Sequence, residues 1–272
     1  MTSSEEGLRA VDVSLDYGGG TLPLEALSSV SLHVRPGEFL TIVGPSGCGK
    51  TSLLRLLAGL LAPSAGFILM RERSVDRPSK EIGIIFQQAT LFPWFTVAGN
   101  VEFALRSQVA DKASRRRRAL DLLDSVGLRE FTGAWPFELS GGMAQRLTLA
   151  RAVAPQPKVL LLDEPFSALD AISRSEMHCV LLDIWSQRQI SVLLVTHDLD
   201  EAVTLADRVL IMSHRPGSIA AEVAIDLPRP RIQDGVRTAG FEKVRNEVAG
   251  LATDLYRASR PAPVTNRHNP VA

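Results

Sequence analysis

The sequence predicts an α/β fold: a mainly parallel sheet, an antiparallel β part at the N-terminus, and a helical insertion. Three observations carry this. Apolar runs bounded by turn residues at 39–43, 83–86, 159–162, 192–195 and 209–212 read as strands buried on both faces. Helix-period segments lie among them, at 50–60, 114–126, 143–154, 171–187 and 199–206, which is the order of a parallel sheet with crossover helices. From 87 to 154 no buried-strand pattern occurs, so residues 88–154 read as a helical subdomain inserted into the core.

The flanks follow from local pattern. Residues 8–17 and 26–34 alternate polar and apolar positions and read as antiparallel strands joined at Gly18-Gly19-Gly20. The main domain is expected to span 1–215. Beyond it, 216–259 reads as an extension with one amphipathic helix at 240–256, and 260–272 as a disordered tail.

Composition limits the function classes. At 272 residues and 45% hydrophobic content the chain can bury a substantial core. Lys plus Arg and Asp plus Glu stand at 30 each, so no net field recruits nucleic acid or an anionic membrane. The basic run 115–118 lacks interleaved aromatics and reads as a solvated helix face. Cys48 and Cys179 are far apart and outside any metal-ligand spacing, which fits a reducing compartment. Residues 1–10 are acidic and polar, so no export signal is expected there. The longest apolar stretch, 53–70, is interrupted by Arg55 and Pro63 and is not expected to span a bilayer.

The chemistry begins at Gly44-Pro45-Ser46-Gly47-Cys48-Gly49-Lys50-Thr51, which matches GxxxxGK[ST] between a strand and a helix. Glycines let the backbone wrap an anion, and the helix N-terminus adds a positive dipole end. Lys50 is expected to reach the β- and γ-phosphates of ATP, and Thr51 to ligate Mg²⁺. Cys48 is read as a space-filling residue, in a position sensitive to alkylation. The run Val159-Leu160-Leu161-Leu162 ends in Asp163-Glu164, which places two carboxylates at a strand's C-terminal end. Asp163 suits the metal, and Glu164 the attacking water. His197 follows the run 192–195, where an imidazole could meet a γ-phosphate.

Leu139-Ser140-Gly141-Gly142-Met143-Ala144-Gln145-Arg146, opening a helix inside the insertion, resembles the signature of ABC ATPases. The resemblance covers roughly residues 8–213. It implies a head-to-tail dimer of two copies, in which Ser140, Gly141, Gly142 and Gln145 contact the ATP held by the other copy's Lys50. It also implies that Tyr17 stacks on adenine and that Gln87 senses Mg²⁺ and the membrane partner. Asp170, in Ser167-Ala168-Leu169-Asp170, would belong to the loop crossing the dimer interface, and His197 would be the switch histidine. Lys50-Thr51-Ser52 departs from the common Ser-then-Thr order; the hydroxyl of Thr51 or Ser52 can serve the metal.

Phe92-Pro93-Trp94, Met143, 212–217 and Leu227-Pro228-Arg229-Pro230-Arg231 together look like the nitrate, sulfonate and taurine importer group. That implies membrane permease subunits as partners, indirectly a solute-binding protein, no nucleic acid, and a peripheral place on the cytoplasmic face of the membrane. Trp94 would anchor a permease helix. Two other readings stand beside it. A soluble ABC ATPase of translation or repair carries two cassettes or a long coiled coil, for which this chain has no room. A non-hydrolysing nucleotide-dependent regulator would have little use for Glu164 and His197.

Overall fold

The computed structural model describes residues 7–18, 24–233 and 236–258. In chain order the elements are β1 (Leu8–Tyr17), β2 (Leu24–Val34), β3 (Phe39–Val43), α1 (Lys50–Leu57), β4 (Ala65–Met70), β5 (Arg73–Ser74), β6 (Ile82–Ile85), α2 (Val97–Leu105), α3 (Lys112–Ser125), α4 (Gly141–Val153), β7 (Val159–Asp163), α5 (Ala171–Arg188), β8 (Ser191–Thr196), α6 (Leu199–Leu205), β9 (Arg208–Met212), β10 (Ile219–Ala224), β11 (Ile232–Gln233), β12 (Val236–Arg237) and α7 (Phe241–Ala258). The main sheet runs β10-β9-β3-β8-β7-β6, parallel except for β10. A second, antiparallel sheet runs β2-β1-β4-β5.

The apolar runs fill both faces of the main sheet by the two-residue strand period. Phe39, Val43, Leu160, Leu162, Val192, Leu194, Val209 and Ile211 face a core shared with α2 to α7. Their neighbours Leu40, Ile42, Leu161, Leu193, Val195 and Leu210 face a second core under α1 and the antiparallel sheet. Burying each such side chain contributes about 1.5–3 kcal/mol. These strands therefore cannot slip register without exposing a whole face.

The insertion is helical as expected, and its helices start at side-chain caps. Thr96 accepts from Gly99 N, and Asp111 accepts from Ser114 N. Buried Asn100 fixes the preceding loop by accepting from Phe92 N (2.9 Å) and donating to the carbonyls of Phe92, Phe95 and Thr96.

Some boundaries differ from the sequence expectation. Helix α1 ends at Leu57 rather than residue 60, because Gly59 takes φ 70° where the backbone of Arg77 crosses closely. The later part of the apolar stretch 53–70 is strand β4, paired with β1. The expected boundary at 215 cuts through the main sheet: β10 pairs with β9, and Phe241 and Val248 of α7 lie in the main core. Helix α7 matches the expected amphipathic segment, while Gly19, Gly20 and 260–272 lie outside the described residues.

A buried arginine stitches the two layers. Arg208 of β9 donates to Glu38 (2.9 Å), to Glu222 of β10 (2.9 Å) and to the carbonyl of His33 in β2 (2.5 Å). Glu38 is buried as well. Removing one partner of such a pair strands the other in a low-dielectric site. Glu38→Ala is predicted to lower unfolding free energy by about 2–4 kcal/mol in urea titration, less than the full buried-pair cost because Glu222 remains. A loss below about 1 kcal/mol would show that Glu222 and His33 suffice for Arg208.

Candidate functional site

Strands β3, β8 and β7 are parallel neighbours, so they end at one edge of the sheet. Ligands of α/β sheets bind at such edges. There β3 passes into the loop 44–49, β7 into Glu164, and β8 into His197.

The loop reverses onto α1 through Gly47 and Gly49, at φ 76° and 105°, conformations that a side chain would strain. Gly49 begins α1 with no side-chain cap and no acidic residue in the first turn, which leaves the positive end of the helix to an anion. Lys50 is buried and lies back across the loop, its Nζ donating to the carbonyls of Gly44 (2.8 Å) and Pro45 (3.0 Å). The cation is thus held at the same turn as the helix start. Pro45 and Ser46 complete the turn, with Cys48 N donating to Pro45 O (3.3 Å).

Thr51 Oγ1 donates to Asp163 Oδ1 (3.1 Å), tying α1 to the end of β7. Burial raises the Asp163 carboxyl above its usual range; the Thr51 hydrogen bond opposes this, and the neighbouring Glu164 charge adds to it. A hydroxyl beside a partly desolvated carboxylate is an oxygen donor set suited to Mg²⁺, whose charge would hold Asp163 ionised.

Glu164 sits at φ 44°, in the left-handed region, and its N–H donates to Val195 O (2.9 Å). That turn swings its carboxylate out, with Oε2 3.1 Å from His197 Nδ1. Residues 33 apart in sequence therefore form one acid–imidazole pair. Ser167 Oγ donates to Glu164 O (3.0 Å), and Gln87 Nε2 donates to Ser167 Oγ (3.3 Å), which brings Gln87 to the same segment. Tyr17, 42% exposed, pairs its hydroxyl with Ser52 Oγ at 2.9 Å, on the first turn of α1.

Ser140 caps α4, accepting from Met143 N (3.3 Å). A Cβ on Gly142 would lie 3.5 Å from Ser173, so this turn backs onto the start of α5. Asp170 caps that helix, accepting from Ile172 N, Ser173 N and Ser173 Oγ. The Ser173 bonds first, then the Ile172 amide, hold its carboxyl below the usual range. Among the described residues Ser140, Gly141 and Gly142 make no hydrogen bond to 44–51.

Two expectations need correction. Gln145 is buried beside Ile85, Leu162, Phe166 and Met177, with its Nε2 unpartnered among the described residues. On α4 its side chain turns to the core, so it cannot reach a nucleotide from there. Cys48 is also buried, its sulfur packed under Gly44, and desolvation raises its thiol pKa against the opposing charge of Lys50. That is the reverse of an alkylation-prone thiol. Its part in the site is backbone.

Two arginines escaped the sequence reading. Arg215 donates from Nε and Nη2 to Gly47 O (3.2 and 2.9 Å), and Gly217 packs against the carbonyl of Cys48, so the segment after β9 braces the phosphate loop. Arg174 donates to Leu169 O (3.1 Å) and Asp198 Oδ2 (3.3 Å), bridging the residue before Asp170 and the one after His197. Arg174 lies in no motif, and the segment 212–217 that holds Arg215 carried only the subgroup resemblance. The turn-rich Ser213-His214-Arg215-Pro216-Gly217, following a strand next to the central one, was the available signal for Arg215.

A glycine cradle closed by a buried lysine, a hydroxyl–carboxylate pair for a divalent cation, and a carboxylate–imidazole pair at one sheet edge define a P-loop nucleoside triphosphatase. The model of the ABC transporter family matches residues 27–167. The nitrate import ATP-binding protein NrtD of Synechocystis sp. is 47% identical over 250 residues, 90% of this chain and 94% of that protein. The aliphatic sulfonates import ATP-binding protein SsuB of Bacillus licheniformis is 42% identical over 232 residues, 85% of this chain and 89% of that protein. The chain belongs to the ABC transporter family, as one of its ATPase cassettes. Among solved structures, the dimeric post-hydrolysis state of the ATP-binding cassette MJ0796, bound to ADP and Pi, superposes with TM-score 0.73 at 30% identity, over 81% of this chain and all of that one.

The Cys48 environment predicts selective chemistry. Cys179 is exposed. Timed iodoacetamide labelling read by peptide mass spectrometry is predicted to modify Cys179 about tenfold faster than Cys48, or more. Equal rates would contradict the buried placement of Cys48.

Proposed function

We propose that the chain is the ATP-hydrolysing subunit of an importer that takes up a small anionic or heterocyclic solute of the nitrate, sulfonate or taurine type. The kinship with NrtD and SsuB supports the transport class. Among the described residues no helix is long and apolar enough to cross a membrane, and the kinship with importer ATP-binding proteins supports separate permease subunits as the solute path. The cassette works at their cytoplasmic side, and a solute-binding protein acts upstream of them. Trp94, 65% exposed and stacked near Phe92 and Phe95, suits an apolar permease helix.

The observation that carries the hydrolytic reading is the Glu164–His197 pair at 3.1 Å, one residue beyond the Thr51–Asp163 pair. In this reading the loop 44–49 and Lys50 cradle the β- and γ-phosphates, and Tyr17 stacks on the adenine. Thr51, Asp163 and Gln87 would hold Mg²⁺, which would supply charge neutralisation. Glu164 orients the attacking water and takes its proton. His197, hydrogen-bonded to Glu164 and exposed beyond it, orients that carboxylate and contacts the γ-phosphate. Ser140, Gly141 and Gly142 make no hydrogen bond to the chain's own phosphate loop among the described residues, which favours their use on the nucleotide of a second copy. Asp170 lies beside them at that interface. The dimeric MJ0796 cassette supports the arrangement.

Glu164→Gln keeps the shape of the side chain and removes the base. Steady-state ATP turnover is predicted to fall by about 10²–10⁴-fold while ATP binding persists and an ATP-dependent dimer accumulates on size exclusion. Undiminished turnover would remove Glu164 from the role of base.

A further inference from the structure

The segment beyond residue 215 grips α6, the helix that starts two residues after His197, at both ends. At its C-terminal end the guanidinium of Arg231, 2% exposed, donates to Val203 O (2.8 Å) and Ala206 O, and also to Ile225 O (3.2 Å) and Leu227 O (3.1 Å). Arg229 donates to Leu205 O and pairs with Asp207, both at 2.5 Å. Burial, with the charge of Arg229, pushes the Arg231 pKa down to about 10, so it is still a cation at neutral pH, facing the negative end of the helix. At the N-terminal end Arg237 and Arg245 both pair with Asp200, at 2.6 and 3.1 Å.

A helix of seven residues has little stability of its own, so its pose is set by what holds it. What its pose sets is the backbone around His197. Asp198 caps the helix by accepting from Asp200 N and Glu201 N, and Thr196 Oγ1 donates to Glu201 Oε2 (2.7 Å). Residues 196 and 198 are thus fastened to α6 on either side of the histidine.

We propose that Arg237 and Arg245, with Arg231 at the other end of the helix, are positioning residues for hydrolysis: they fix α6 and through it hold His197 against Glu164. The inference rests on the roles given above to Glu164 and His197. It makes the C-terminal segment part of the catalytic apparatus.

The test compares Arg237→Gln/Arg245→Gln in the full chain with the same pair of changes in a His197→Ala background, by steady-state and single-turnover ATP hydrolysis. The expected result is a fall in kcat of about tenfold with KM for ATP within about twofold, and no further loss once His197 is absent. Unchanged kcat, a loss that appears chiefly in KM, or the same fold-loss in the His197→Ala background would overturn the inference. Wild-type hydrolysis by His197→Ala alone would instead overturn the reading of His197 on which it rests. If the double variant does not fold, Asp200→Asn removes the shared partner from the other side, and the same comparison decides.

Discussion

Everything at the site depends on the parallel pairing of β3 with β8, and of β8 with β7. Parallel strands in register end together, and these are held in register because both of their faces are buried. Their ends therefore deliver a phosphate loop, a histidine and two carboxylates to one edge. The bonds that make the site join segments that follow different strands: Thr51, on α1 after β3, to Asp163 at the end of β7, and Glu164 after β7 to His197 after β8. A core substitution that tilted one strand would part them without touching a catalytic residue.

The sequence carried this architecture in the places where one residue type has one physical use. A glycine at φ 105°, a lysine behind it and an apolar run ending in two acids leave few alternatives, and 44–51 and 163–164 fall where their pattern predicts. The helical insertion was legible for the converse reason, since it lacks any run fit for burial on two faces. Other features were illegible because their meaning is tertiary. Gln145 sits in a motif that points to ligand, yet α4 turns it to the core. Cys48 lies in an exposed-looking loop, yet Gly44 and Met212 pack against its side of the turn. That the main sheet continues past residue 215 was illegible because β10, alternating and half-exposed, gives a weak strand signal at a sheet edge.

Arginine pairing shows the same division. In the sequence Leu227-Pro228-Arg229-Pro230-Arg231 carries only a subgroup resemblance, because prolines and arginines say nothing of what they face. In the fold this segment lies against α6, and its arginines reach the helix's last carbonyls. Arg208, Arg174 and Arg215 likewise join segments remote in sequence. Planar guanidinium groups with several donors suit such bracing, and no periodicity announces it.

In the proposed dimer each catalytic site needs the phosphate loop of one copy and the Ser140 turn of another. Mixing Lys50→Ala chains with Ser140→Arg chains, each inactive alone, measures this directly as ATP hydrolysis by the mixture. Composite sites predict that activity reappears, because each mixed dimer holds one site with both defects and one with neither. A mixture as inactive as its components would contradict the composite site and place Lys50 and Ser140 in the service of the same chain's nucleotide.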